Sequence, residues 1–208
     1  MRVRIKICGM TRREDVETAA QLGVDAVGLV FYAKSSRCVG LEQARVLADA
    51  APAFITVTGL FLNPVRDEVQ RVLNSVRVDL LQFHGEEAPE FCRAFARPYI
   101  KAVPMGGGAD LADYARRYDD AAALLLDSHA SGRKGGTGVT FAWSGVPHLR
   151  QPPMILAGGL RADNVAAAIR IVRPYGVDVS SGVETAPGIK DPAKMSEFVR
   201  EVNRVATA

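Results

Sequence analysis

Short apolar runs alternate eight times with stretches of helical periodicity along this chain, and that alternation restricts the fold more than any other feature. The last third shows the repeating unit most plainly. Met154-Ile155-Leu156-Ala157 is an unbroken apolar run that stops at Gly158-Gly159, as a strand buried on both faces stops before a helix. After a helical stretch from Ala162 to Val172, Val177-Asp178-Val179-Ser180 resumes the strand pattern and ends in Ser181-Gly182. A strand, a helix and a second strand joined this way need a crossover, and a crossover makes the strands parallel. Both strands then deliver small-residue turns to one edge of the sheet, where backbone N–H groups and helix N-termini attract anions. Either glycine turn alone reads as ordinary tight-turn chemistry. Two on successive strands, with Gly135-Gly136-Thr137-Gly138 just upstream, read as a phosphate cup.

The same unit recurs towards the N-terminus. Val3-Arg4-Ile5-Lys6-Ile7-Cys8 alternates strictly, with Val3, Ile5 and Ile7 on one face and Arg4, Lys6 and Cys8 on the other. Thr11 and Glu14 have the spacing of a capping box for a helix through Leu22, which Gly23 closes. Further strands are expected at 26–31, 54–61, 79–83, 99–103 and 121–126, with helices at 41–50, 64–73, 88–96, 110–117 and 141–149. Asn63-Pro64 and Asp191-Pro192 read as N-caps with first-turn prolines, the second opening a last helix to about Val205. Eight strands and eight helices suit either an open doubly wound sheet or a closed barrel. About 25 residues per repeat favour an α/β fold of the (β/α)8 TIM-barrel type, one catalytic domain over residues 1–208. Function then belongs at the C-terminal strand ends: Cys8-Gly9, the loop carrying Arg37, Gln82 to Gly85, Asp127-Ser128, Gly158-Gly159 and Ser180 to Gly182.

Composition narrows the ligand. A net charge of +3, with 26 basic and 23 acidic residues interspersed, provides no basic stripe for nucleic acid. No apolar stretch approaches the roughly 18 residues of a membrane span, so a soluble, cytoplasmic protein is expected. Cys8, Cys38 and Cys92 are odd in number, far apart and without a CxxC pair, which argues against a disulfide framework and a structural zinc site. Cys38 and Cys92 read as ordinary packing residues, and His84, at a strand end, as a supporting hydrogen-bonder. His129 and His148 have no site context, while Arg133-Lys134 reads as a solvated loop able to close over substrate.

Five blocks carry a resemblance. Lys6-Ile7-Cys8-Gly9-Met10-Thr11, Gln82-Phe83-His84-Gly85, Gly135-Gly136-Thr137-Gly138, Leu156-Ala157-Gly158-Gly159-Leu160 and Asp178-Val179-Ser180-Ser181-Gly182-Val183-Glu184 resemble, in order, the signature blocks of phosphoribosylanthranilate isomerase. Together they span almost the whole chain. The resemblance implies an aldose–ketose isomerase of tryptophan biosynthesis, with Cys8 as general base, Asp127 as general acid and Arg37 holding the anthranilate carboxylate. It implies substrate contacts from His84, Gly136, Gly158, Gly159, Ser181 and Gly182, no metal or organic cofactor, and a monomer or homodimer acting on a phosphosugar–anthranilate. No departure from the pattern occurs at these positions.

The residue types suit that chemistry. Rearranging an N-glycoside needs an acid at the ring oxygen and then a base at C2, and the iminium nitrogen serves as electron sink. A thiol of ordinary pKa about 8.5 must fall, and a carboxyl of about 3.9 must rise, to serve as base and acid near neutrality. The apolar run Leu124 to Leu126 would favour protonated Asp127, and Lys6 either favours the Cys8 thiolate or forms an ion pair with Asp178 inside the barrel. Two alternatives remain. Other phosphosugar barrels, such as indole-glycerol-phosphate synthase or the histidine-pathway isomerase, resemble Lys/Glu or paired-Asp sites, which Cys8 with Asp127 does not match. A catalytically silent phosphate sensor would keep the glycine turns without needing Cys8, Asp127 and Arg37 together.

Overall fold

The computed structural model describes residues 2–128, 140–147 and 151–206. Eight parallel strands close into a barrel: β1 (Arg4–Cys8), β2 (Ala26–Val30), β3 (Thr56–Phe61), β4 (Leu80–Phe83), β5 (Tyr99–Pro104), β6 (Ala123–Asp127), β7 (Met154–Leu156) and β8 (Gly176–Val179). Each pairs with the next, and β8 returns to β1 with Lys6 opposite Asp178. Around them lie α1 (Arg13–Gln21), α2 (Leu41–Ala50), α3 (Arg66–Ser75), α4 (Pro89–Cys92), α5 (Leu111–Arg117), α6 (Ala162–Val172) and α7 (Pro192–Ala206), seven α-helices among the described residues.

The alternation within each strand sorts side chains into two interiors. Outward residues such as Ile5, Ile7, Leu29, Val57, Phe83, Leu124, Leu126 and Val177 pack with Val16, Leu47, Val69, Val165 and Phe198 of the helices in one large core. Each such side chain, fully buried, contributes roughly 1.5–3 kcal/mol. Inward residues form a separate small cluster of Ile100, Ala102, Ala123, Leu125 and Ala157. Among the other inward residues, the polar side chains of Lys6, Thr58, Gln82 and Asp178 are all buried. The strict alternation of β1 thus records a barrel lumen opposite a helix-facing core, both buried from Ile5 to Cys8. Small and polar side chains inside leave the C-terminal end of the barrel open.

Several local expectations give way to tertiary contacts. Thr11 does not cap α1; its hydroxyl donates to the Gly188 carbonyl, and Arg12 occupies the cap position. Asn63 adopts a left-handed conformation (φ 48°) and α3 begins at Arg66, because the Asn63 side chain accepts from the Glu86 N–H instead. Asp191 does cap α7, accepting from Ala193 and Lys194 N–H groups. Phe54 lies outside β3, 99% exposed. Within the region expected to hold a helix from Phe141 to Leu149, the described residues contain only a 3-10 turn, Trp143–Gly145. An unforeseen antiparallel hairpin, β9 (Glu184–Ala186) with β10 (Ile189–Lys190), follows the last barrel strand.

A buried ion pair fixes the loop after β4. Lys101 Nζ donates to Glu87 Oε2 at 2.8 Å, both side chains being almost fully buried. Glu87 also accepts from the N–H groups of Asn63 (2.8 Å) and Gly85 (2.9 Å). The satisfied carboxylate holds the turn immediately after His84.

Candidate active site

The last inward positions of six strands or their following residues meet in one cavity of about 340 Å³ at the C-terminal mouth. Cys8 comes from β1, Val30 from β2, Leu60 from β3, Gln82 and His84 from β4, Asp127 from β6, and Asp178 and Ser180 from β8. Arg37, Gly158, Gly159, Ser181 and Gly182 line it too, so every residue anticipated for the site faces one space except Gly136, which lies outside the described residues.

Cys8 is buried and pairs across the sheet with Gly28. A Cβ at position 28 would stand 2.7 Å from its sulfur, so only glycine there leaves room for the thiol. Lys6, one inward step below, donates to Asp178 Oδ1 at 2.9 Å. Burial lowers the Lys6 pKa, but Asp178 and Cys8 more than offset this and raise it above the ordinary lysine value. Both expected roles therefore coincide in Lys6: it is ion-paired and it faces the thiol. The expectation of a lowered thiol pKa fails in this state. Burial pushes Cys8 up, and Lys6 and Lys190 only partly offset burial and the Asp178 charge.

On the opposite wall a hydrogen-bonded chain reaches Asp127. Gln82 Nε2 lies 2.9 Å from His84 Nδ1, and His84 Nε2 lies 3.0 Å from Asp127 Oδ2. A neutral ring carrying its proton on Nε2 accepts from the Gln82 amide and donates to the carboxylate. Arg37 is held by Glu184 through two hydrogen bonds, of 2.8 and 2.6 Å.

The glycine turns have strict geometric causes. Gly158 and Gly159 both have positive φ, 78° and 65°, and a Cβ on Gly158 would strike the Ser128 backbone nitrogen. A Cβ on Gly182 would run into the Leu160 carbonyl oxygen. Asn164 pins the first turn by donating to Gly159 O at 3.0 Å and accepting from Arg161 N at 2.8 Å. The two turns are thus packed against each other, behind the mouth and ahead of α6.

Gln82 as partner of His84, and Glu184 and Lys190 as partners of each other, emerge only from the three-dimensional arrangement, whereas Asp178 was expected as the ion-pair partner of Lys6. Asp178 had a signal in its inward position; Lys190, on the unforeseen hairpin, had none. Among the described residues no cluster of three or more His, Cys, Asp or Glu side chains is arranged to hold a metal, and no helix is long and apolar enough to cross a membrane.

A thiol and a carboxyl group on separate strands of a (β/α)8 barrel, facing one small cavity, define the class: a barrel enzyme that moves protons on a small molecule. Residues 5–201 match the family model described as N-(5'phosphoribosyl)anthranilate (PRA) isomerase, and the chain belongs to that family. The N-(5'-phosphoribosyl)anthranilate isomerase of Nitrosococcus oceani is 51% identical over 205 residues, which covers 99% of this chain and 100% of that protein. The crystal structure of phosphoribosyl anthranilate isomerase from Thermotoga maritima has a TM-score of 0.87 at 38% identity, covering 96% of this chain and 98% of that one. A crystal structure of such an isomerase in complex with reduced 1-(o-carboxyphenylamino)-1-deoxyribulose 5-phosphate aligns with a TM-score of 0.81, also at 38% identity and the same coverage.

Proposed function

We propose that the chain converts N-(5-phosphoribosyl)anthranilate to 1-(2-carboxyphenylamino)-1-deoxyribulose 5-phosphate in tryptophan biosynthesis, with Asp127 as general acid and Cys8 as general base. The enzyme is an isomerase and its substrate a small molecule. The observation that carries the residue roles is that Cys8 and Asp127 line the same cavity from β1 and β6, with the Gly158-Gly159 and Ser181-Gly182 turns beside them. Phosphate at those turns and the anthranilate carboxylate at Arg37 would stretch the sugar across the space between base and acid.

The protons then follow. Asp127 gives its proton to the ring oxygen, the C1–O bond breaks and the nitrogen lone pair forms the iminium. The Cys8 thiolate takes the C2 proton, and the C2–H electrons pass into the C1–N system, giving an enolamine that tautomerises to the ketose. His84, braced by Gln82, keeps Asp127 turned to the ring oxygen. Burial raises the Cys8 thiol, and the Lys6 and Lys190 charges lower the cost of forming its thiolate. The iminium nitrogen is the electron sink, so the mechanism assigns no step to a metal or organic cofactor. The protein acts in the cytoplasm, as a monomer or homodimer. Mixing the purified protein with N-(5-phosphoribosyl)anthranilate, with neither metal nor cofactor added, should yield the deoxyribulose phosphate catalytically; failure of turnover in a folded sample contradicts the assignment.

A further inference from the structure

Glu184 stands between two cations at the edge of the cavity. Its Oε1 accepts from Arg37 Nε at 2.8 Å and Lys190 Nζ at 2.7 Å, and its Oε2 accepts from Arg37 Nη2 at 2.6 Å. The Gly188 N–H adds a bond to Oε1 at 3.2 Å. Lys190, whose side chain is wholly buried, also donates to the carbonyls of Cys8 (2.6 Å) and Ser180 (3.2 Å). The β9–β10 hairpin thus carries both members of a buried pair that clasps the ends of β1 and β8. Only Arg37 among the three reaches the cavity wall.

A guanidinium offers more than one edge for bidentate binding of a carboxylate. Glu184 occupies the Nε–Nη2 edge of Arg37, which leaves Nη1 and the second Nη2 hydrogen for anything else. Two cations against one anion leave the cluster one positive charge, so Glu184 orients Arg37 without cancelling its attraction for an anion. A carboxylate entering the cavity would not displace Glu184, which is held by Lys190 and Gly188 as well. Burial pushes the Glu184 carboxyl up, yet Arg37 and Lys190 together hold it below its usual range, while burial holds the Lys190 ammonium below its own despite the Glu184 charge.

We propose that Glu184, secured by Lys190, is a specificity-positioning residue: it fixes Arg37 so that the remaining guanidinium edge meets the carboxylate on the substrate's aromatic ring. This rests on Arg37 being the group that holds that carboxylate. Glu184 touches no substrate atom and acts only through Arg37.

A double-mutant cycle on purified enzyme tests this, read as KM and kcat with N-(5-phosphoribosyl)anthranilate. Arg37→Met and Glu184→Gln should each lower kcat/KM, by about 10- to 100-fold and chiefly through KM, the worth of a charge-assisted hydrogen bond. The double variant should be no worse than Arg37→Met alone, because Glu184 has nothing left to position. Multiplying losses in the double variant, or an unchanged KM in Glu184→Gln, overturns the proposal while leaving the role of Arg37 intact. An unchanged KM in Arg37→Met overturns both. Should Glu184→Gln fail to fold, nitrogen NMR of the arginine side chains in the unaltered enzyme decides instead, with the reduced deoxyribulose phosphate as probe. The Arg37 Nη1 signal should move on binding while Nε stays; a shift of Nε with Nη1 unmoved shows that Glu184 does not keep its edge, and overturns the proposal.

Discussion

Cys8, the proposed general base, lies in surroundings that both hinder and support that role. Desolvation favours the thiol, while Lys6 and Lys190 favour the thiolate. Cys8→Ser should lower turnover by at least about 100-fold, since a hydroxyl supplies almost no base form, while Cys38→Ser and Cys92→Ser stay near the parent rate. Equal losses in all three would remove Cys8 from its role. Cys92 affects stability instead. Burial pushes its folded pKa up to about 12, above an unfolded thiol near 8.5. A raised folded pKa gives stability that is complete below the unfolded value and lost as pH climbs towards the folded one. Cys92→Ala should therefore flatten the fall in unfolding free energy from roughly pH 9 upward, measured by denaturant titration across that range; an unchanged slope contradicts it.

At the level of elements, strand pairing decides where the reactive groups stand. Cys8 lies opposite Gly28 in the β1–β2 ladder, and the missing side chain on β2 makes the space its sulfur occupies. Gly28→Ala should displace the thiol and lower kcat by about tenfold or more, with overpacking costing roughly 1–3 kcal/mol of stability. Normal kcat in a folded variant would show that the sulfur's position is uncritical. The turn after β7 makes a separate demand. Gly159 sits at φ 65°, so Gly159→Ala strains the loop by about 1–2 kcal/mol and should weaken inorganic phosphate binding, by calorimetry, while the barrel persists. Retained phosphate affinity would place the phosphate elsewhere. Gly182 is a poorer test position, because a side chain there meets the Leu160 backbone and threatens the fold itself.

At the level of the whole molecule, the barrel was legible because its cause is repetitive: eight short strand patterns, apolar or alternating, joined by one crossover geometry. The site was legible where residue type and strand end coincide, as at Cys8, His84, Asp127 and the glycine turns. What escaped depends on contacts distant in sequence. Asn63 and Thr11 carry good capping chemistry, yet each spends its side chain on another loop's backbone. Lys190 reaches Cys8 across 182 positions from a hairpin too short to show a pattern. The thiol's direction of shift was missed because spacing reveals the nearby lysine but not the depth of burial. The most direct measurement of the acid–base assignment compares two reactions of Asp127→Asn: turnover of the closed glycoside, and proton exchange at C2 of an analogue whose ring is already open. Assigning Asp127 as the acid predicts a fall of about 10²–10⁴-fold in the first, with the second largely kept, whereas Cys8→Ser loses both. Near-normal turnover of the closed glycoside by Asp127→Asn would contradict that assignment and leave Cys8 without its partner.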